Sequence, residues 1–328
     1  MTTPATTTRR ALLATGAGLL AAAHWPARAQ AYPTRPLRIV VPYTPGGTTD
    51  VLARLIALHL QDKLGQPVVV ENRPGASGLL GSDVVAKAAP DGYTLMVTIT
   101  GLVQNASLMP SMPYDPVKDF QPVSLLATAA SVMVVSSRLA VKDVAEFVAL
   151  VKSQPGRHGY GSYGAGTTSH ILGAQLNKTA ALDLTHVPYK GAMPVVNDLL
   201  AGQLSVAFLD TGTSAPFITS GKLRALAATG KERLGFAPEV PTMAEQGYAG
   251  FDWFGWFGAF LPAGVPAPIV QRLSREIQQA MHLPEVRARV EAMRAVPVGS
   301  AAESFTEVVR NDAPMYARMI RDLNIRLD

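Results

Sequence analysis

The residues of this sequence best suited to chemistry are glycines and hydroxyls, and what they can do together is hold an anion. Five segments carry them: residues 43–50 (YTPGGTTD), 73–81 (RPGASGLLG), 159–169 (GYGSYGAGTTS), 188–192 (PYKGA) and 210–214 (DTGTS). Each stands where an apolar strand pattern ends and a helical pattern begins, a turn that aims backbone N–H groups and the positive end of a helix dipole at one point. In the first segment Gly46, Gly47 and Thr48 can offer N–H groups to a carboxylate, with Pro45 in the turn and Tyr43 as a wall. The plainer alternative is a glycine turn in which Asp50 caps the helix. In the third, Ser162, Gly166, Thr167 and Thr168 read as hydroxyl and backbone donors at a helix start. Gly78, Thr100, Gly101 and Tyr189 complete the expected contacts. Lys190 is a candidate cation, and so is Arg73, although a solvated side chain is the default in such turns. Asp210 either caps the helix that follows it or accepts a hydrogen bond from a ligand amine or hydroxyl.

The residue types needed for catalysis do not assemble at recognisable spacings. His170 has no nucleophile and acid partner, and is expected as a packed, hydrogen-bonded histidine. His59, His158, His186 and His282 are scattered rather than set one helical turn apart as metal ligands would be. Ser162 has Tyr160 two positions before it, where a nucleophile elbow requires glycine. Residues 161–168 contain fragments of a dinucleotide fingerprint. That reading needs the loop after the first strand and an acidic residue ending the next one, whereas Asp183 precedes its strand. The chain is therefore expected to work without chemistry, cofactor or metal.

Arg9 and Arg10 precede an uncharged run over residues 11–23, and the triplet Ala27, Arg28, Ala29 follows. This is the pattern of an export signal, residues 1–29, cleaved after Ala29 or alternatively after Ala31. The paired arginines suit either the twin-arginine or the ordinary secretory route. The run is well short of the roughly 20 residues that span a bilayer. The sequence has no cysteine, hence no disulfide, thiolate metal site or lipidated N-terminal cysteine. Arg9, Arg10 and Arg28 account for three of the 29 basic side chains, and the remaining 26 against 24 acidic ones leave the exported part at +2. With 16% charged and 48% hydrophobic residues and no basic run, a buried core is expected and a nucleic-acid surface is not. A monomer free in the periplasm is the expected product.

The elements that must position these loops alternate strand and helix. Strands are expected at residues 37–41, 68–70, 93–99, 132–135, 157–160, 184–187, 205–209, 223–228 and, as a long aromatic strand, 251–261. Helices are expected at 51–60, 79–89, 144–151, 168–178 and 194–201, the third opened by Asp143 and Glu146 as a capping-box variant. Thr242 and Glu245 form a second box, opening a short helix that Gly247 stops. Further helices follow at 266–281, 284–293 and 301–323. Two α/β units with ligand loops at the carboxyl ends of their strands would face each other across a cleft. The crossings between them are expected near residues 125–135 and 250–260. The boundaries are then 30–129 with 252–328 for one lobe and 130–251 for the other. Phe251, Trp253, Phe254, Trp256 and Phe257 are expected mainly as strand packing, with an aromatic-acid pocket as the alternative.

Residues 41–50 (VPYTPGGTTD), 71–78 (ENRPGASG), 90–95 (PDGYTL), 114–120 (YDPVKDF) and 186–191 (HVPYKG) resemble, in the same order, the signatures of the Bug family of exported solute receptors. The similarity runs over essentially the whole exported chain. It implies a two-domain α/β fold of the type II periplasmic binding protein kind. It also implies capture of a small carboxylate (an amino acid, a di- or tricarboxylate or an aromatic acid) through backbone groups and bridging waters. Delivery would be to the membrane subunits of a tripartite tricarboxylate transporter. A ligand-sensing adaptor for a membrane signalling receptor and an exported enzyme on the same scaffold are the alternatives. Two places depart from the family pattern: Thr44, where these proteins often carry a second proline or another small residue, and residues 98–102 (TITGL).

Overall fold

Apolar runs bounded by glycine turns set the first half of the molecule. The computed structural model describes residues 32–108, 111–322 and 325. The expected export signal lies outside them. Of the described residues, Tyr32 to Thr34 form one unit, without helix or strand, and those from Arg35 on form the other. Strand β1 (Leu37–Val41) is almost wholly buried and pairs in parallel with both β2 (Val68–Asn72) and β3 (Thr94–Ile99). Helix α1 (Thr48–Leu64) connects β1 to β2 and buries Leu52, Ile56 and Leu60. It stops at Gly65, whose φ of 65° places it in the left-handed region that glycine adopts without strain. Helix α2 (Leu79–Ala86) leads into β3, and the short α3 (Gly101–Gln104) follows it.

β4 (Phe120–Ala129) was not expected as a strand, because Pro122 interrupts it and its apolar residues do not alternate. Pro122 lies opposite Phe260, at a register shift in the pairing with the later strand, where a missing N–H is tolerated. The chain then passes straight into the second sheet: β5 (Ser131–Ser136), α4 (Val144–Ser153), β6 (Gly159–Ser162), α5 (Thr168–Thr179), β7 (Thr185–Pro188), α6 (Ala192–Ala201), β8 (Val206–Asp210), α7 (Thr211–Thr219) and β9 (Leu223–Ala228). Its order is β7-β6-β8-β5-β9, with β6 parallel to both β7 and β8, and β5 antiparallel to β8 and β9. Asp143 accepts from Glu146 N at 2.8 Å and Glu146 accepts from Lys142 N, so the expected box opens α4. Helix α7 stands where a helix start is expected after Asp210, though Gly212 and Pro216 weaken it and hide its extent in the sequence. Asp210 caps it by accepting from Thr213 N at 2.9 Å.

Two expectations need correction. Thr242 and Glu245 exchange both hydrogen bonds of a capping box, yet the segment stays a turn, since Gly247 ends it before a helix can nucleate. The aromatic strand begins at Gly255, not at Phe251: β10 spans Gly255–Pro262. The four residues before it serve different cores. Phe251 stacks on Phe208 at 6.0 Å in the second lobe, while Trp253 packs against both cores and meets Tyr316 of the first edge-on at 5.7 Å.

β10 is antiparallel to β3 and β4, and β11 (Val296–Pro297) closes the first sheet in the order β11-β4-β10-β3-β1-β2. Helices α8 (Ala267–His282), α9 (Pro284–Ala292) and α10 (Ala302–Asp322) complete this lobe. Phe305, Val309, Tyr316 and Ile320 of α10 pack with Trp256, Phe260 and Val40. The other core gathers Phe147, Leu172, Leu176, Phe208 and Phe251. Among the described residues, no helix is long and apolar enough to cross a membrane.

Candidate functional site

A helix start leaves its first N–H groups without intrahelical partners. At four of the five glycine-rich loops the N-cap residue makes no side-chain cap, Gly78 at α2 being one; the other three are Gly47, Thr167 and Gly191, at α1, α5 and α6. All three helices line one cavity between the sheets, α1 through Gly47, Thr48 and Thr49, α5 through Thr168, and α6 through Ala192. The cavity measures about 50 Å³, several times the ~10–15 Å³ that one water requires. The first lobe adds Tyr43, Thr44, Ile99, Thr100, Trp256 and Phe257, and Ala129 and Gly255 lie at the crossings. The second lobe adds Ser131, Tyr163, Asp210 and Thr213.

No lysine, arginine or histidine is among these lining residues. Their single carboxylate, Asp210, is already occupied. Oδ1 accepts from Thr48 Oγ1 (2.6 Å) and Thr213 N (2.9 Å), and Oδ2 from Tyr163 Oη (3.0 Å) and Thr213 Oγ1 (2.8 Å). This matches the roughly four acceptor sites of a carboxylate. Asp210 therefore fills the start of α7 with a carboxylate of the protein's own, whereas α1, α5 and α6 stay open. Burial pushes the phenols of Tyr43 and Tyr163 above their ordinary range, so both remain O–H donors at neutral pH.

The two lobes meet around the cavity. Thr48 reaches Asp210, and the Gln104 amide donates to Thr168 Oγ1 at 3.1 Å. A Cβ at Gly164 would strike Ser77, and one at Gly191 would strike Thr44. Each glycine marks a place where opposing loops approach too closely for a side chain.

Of the residues expected at the site, Tyr43, Gly47, Thr48, Thr100, Thr168 and Asp210 line the cavity. The others lie elsewhere or have committed their donors. Pro45 and Gly46 are exposed, and Gly46 N donates to Asp50 at 3.1 Å. Asp50 also receives the Arg54 guanidinium and the Asn72 amide. It is thus an organiser inside the first turn of α1 rather than its N-cap. Burial alone would raise its pKa, but Arg54, Gly46 and Asn72 together hold it below the ordinary value. Gly78 and Gly101 lie beside the Tyr43 hydroxyl, where a Cβ would come within 2.9 and 3.3 Å. Ser162 Oγ pairs with His186 Nε2 at 2.7 Å, and Gly166 N donates to His170 Nδ1 at 2.9 Å. Thr167 Oγ1 donates to Gly164 O at 2.7 Å. The loop after β6 thus spends most of its donors on its own shape and presents Tyr163 and Thr168 to the cavity. Tyr189 Oη donates to Asp198, Lys190 is exposed, and Arg73 pairs with Glu71.

Tyr163, Ala192 and Thr213 stand inside glycine-rich segments already singled out, so a reading of whole loops finds them. Ala129, Ser131 and Gly255 carry no such signal, because their role comes from lying where strands cross between lobes.

His170 gives a testable consequence of this packing. Burial, and the His186 ring stacked on it at 3.9 Å, depress its pKa from 6.5 to about 3. The unfolded chain then takes up a proton near pH 6.5 while the folded chain resists it to about pH 3, so stability falls as pH drops through that window. Urea denaturation should show a loss of about 2 kcal/mol between pH 7.5 and pH 5, and His170→Asn should flatten that dependence.

Residues 52–325 fit the model of the tripartite tricarboxylate transporter family receptor. The chain is 37% identical over 306 residues to protein BugT of Bordetella pertussis, covering 92% of this chain and 93% of that one. Among solved structures, Rpa4515 of R. palustris with adipate superposes with a TM-score of 0.86 at 31% identity, over 90% of this chain and 99% of that one. MatC from Rhodopseudomonas palustris with bound malate gives 0.84 at 33% identity, over 88% and 100%. The two-lobed α/β fold, the order of the glycine-rich loops and this similarity lead to one conclusion: the chain belongs to the receptor family of the tripartite tricarboxylate transporters, the Bug proteins.

Proposed function

We propose that this protein is a periplasmic receptor that captures a small organic carboxylate between its lobes and hands it to the membrane subunits of a tripartite tricarboxylate transporter. The observation that carries the reading is the convergence of three uncapped helix starts, from both lobes, on one cavity lined by no cation. Oriented amides and neutral hydroxyls bind an anion without leaving a desolvated cation behind when the cavity empties. Relatives solved with malate and adipate support a carboxylate as the ligand class. The proposal includes lobe boundaries at 129/130 and 251/252, in keeping with β4 ending at Ala129 and β10 beginning at Gly255. It also includes export by residues 1–29, binding without turnover, and no cofactor. Closure follows from contact of one ligand with both lobes, and release from a partner that favours the open form.

Thermal unfolding across a panel of organic acids tests the reading. A ligand at about 100 times its Kd adds about 2.7 kcal/mol and should raise the midpoint by about 5 °C or more; no shift with any acid would refute it. The threonine pair at the start of α5 then separates site from scaffold. Thr168→Val should weaken binding about 10-fold or more, since Thr168 faces the cavity, and should also lower the apo midpoint, since the buried Gln104 amide loses its partner. Thr167→Val should lower the apo midpoint with affinity little changed, because its hydroxyl holds Gly164 O. The reverse pattern of affinities in calorimetry would contradict the assignment.

A further inference from the structure

We propose that Thr44 is a specificity-determining residue that pairs with a hydroxyl substituent on the bound acid, so that the cleft selects hydroxy acids over their unsubstituted counterparts. The proposal rests on the reading of the cavity as a carboxylate site and names the ligand class more narrowly. Thr44 follows Tyr43 on the loop to α1 and lines the cavity. Its Oγ1 is buried and has no hydrogen-bond partner among the described residues, and among the side-chain polar atoms of the residues that line the cavity it is the one in that state. Its neighbours are engaged: Thr48 and Tyr163 with Asp210, Thr100 with Trp256, and Thr168 with Gln104.

A buried hydroxyl without a partner is unfavourable, and the imbalance is relieved when a ligand supplies one. Thr44 is shielded by the opposing lobe, since the backbone of Gly191 approaches so closely that a Cβ there would lie 2.5 Å from Oγ1. A single hydroxyl, both donor and acceptor, suits a single ligand hydroxyl. A second carboxylate would ask for several donors at that spot. An ammonium group would need an acceptor such as Asp210, whose oxygens are taken.

The test is calorimetric titration of the wild-type protein, Thr44→Val and Thr44→Ser with two matched pairs: succinate against malate, and 3-phenylpropanoate against 3-phenyllactate. The wild type should bind the hydroxy acid of at least one pair about 10-fold more tightly than its partner. Thr44→Val should bring that ratio near one while leaving the unsubstituted acid unaffected, and Thr44→Ser should preserve it. The apo midpoint of Thr44→Val should not fall, because the lost hydroxyl has no partner in the fold. Binding of either unsubstituted acid with no gain from the hydroxyl, an undiminished ratio in Thr44→Val, or equal weakening of both members of a pair would overturn the role given to Thr44 alone. If none of the four acids binds the wild type, the hydroxy-acid role of Thr44 falls, while the carboxylate reading falls only if the whole acid panel also gives no shift.

Discussion

Replacing Asp210 with alanine is expected to lower stability by about 2–3 kcal/mol and to loosen the closed cleft. The carboxylate does two jobs at once. Through Thr213 N it caps α7, a helix weakened by Gly212 and Pro216, and loss of such a cap costs about 1 kcal/mol. Through Thr48 Oγ1 and Tyr163 Oη it joins the first residue of α1 to the loop after β6, which belong to different lobes. Alanine leaves the buried Tyr163 hydroxyl short of an acceptor, a penalty of about 1–3 kcal/mol before relaxation. Urea denaturation reads the first effect and small-angle scattering the second, as an increased radius of gyration without ligand. Asp210→Asn, which keeps one acceptor oxygen for Thr213 N, should fall between the two. A wild-type midpoint for the alanine variant would show that the network is decorative.

Ala192→Phe is expected to reduce acid binding more than about 100-fold, near 2.7 kcal/mol or beyond, while the lobes remain folded. Ala192 is the first residue of α6, beside the uncapped Gly191 and on the wall of the cavity, with its Cβ facing Gly47 across the cleft. A benzyl group there occupies the small volume the ligand needs and blocks the approach of α1 to α6. The position is at a helix start and only half-buried, so the cores around Phe147 and Phe260 are untouched. Calorimetry with an acid that binds the wild type measures the loss, and circular dichroism with urea unfolding confirms the fold. Retained affinity would remove α6 from the site.

Local chemistry made much of the fold readable. Residues 37–41 and 223–228 are the strands their apolar runs suggest, and Asp143 with Glu146 opens α4 as the box pattern implies. What escaped reading is what tertiary context decides. β4 contains a proline that a register shift against Phe260 accommodates, and the extent of α7, though not its start at Asp210, is hidden by Gly212 and Pro216. The aromatic segment looks like one strand because composition cannot tell that Phe251 enters the second lobe's core while Trp253 bridges the two cores.

The site divides in the same way. Glycine-rich loops announce that backbone amides matter, but not which amides are spent internally. Gly46 is held by Asp50 and Gly166 by His170, and both partners lie four residues further along the chain. The loops were legible as loops. Their division into scaffold and cavity wall follows from hydrogen bonds that only the folded chain displays, and from strands that cross between lobes at Ala129, Ser131 and Gly255.

The most direct test of the central claim is a crystal structure of the protein with a bound carboxylic acid. The account predicts carboxylate oxygens within about 3 Å of peptide N–H groups at the start of α1 and at the start of α5 or α6, with no lysine or arginine side chain in contact. An acid held instead by surface cations, or seated outside the cavity bounded by Gly47, Thr168 and Ala192, would contradict it.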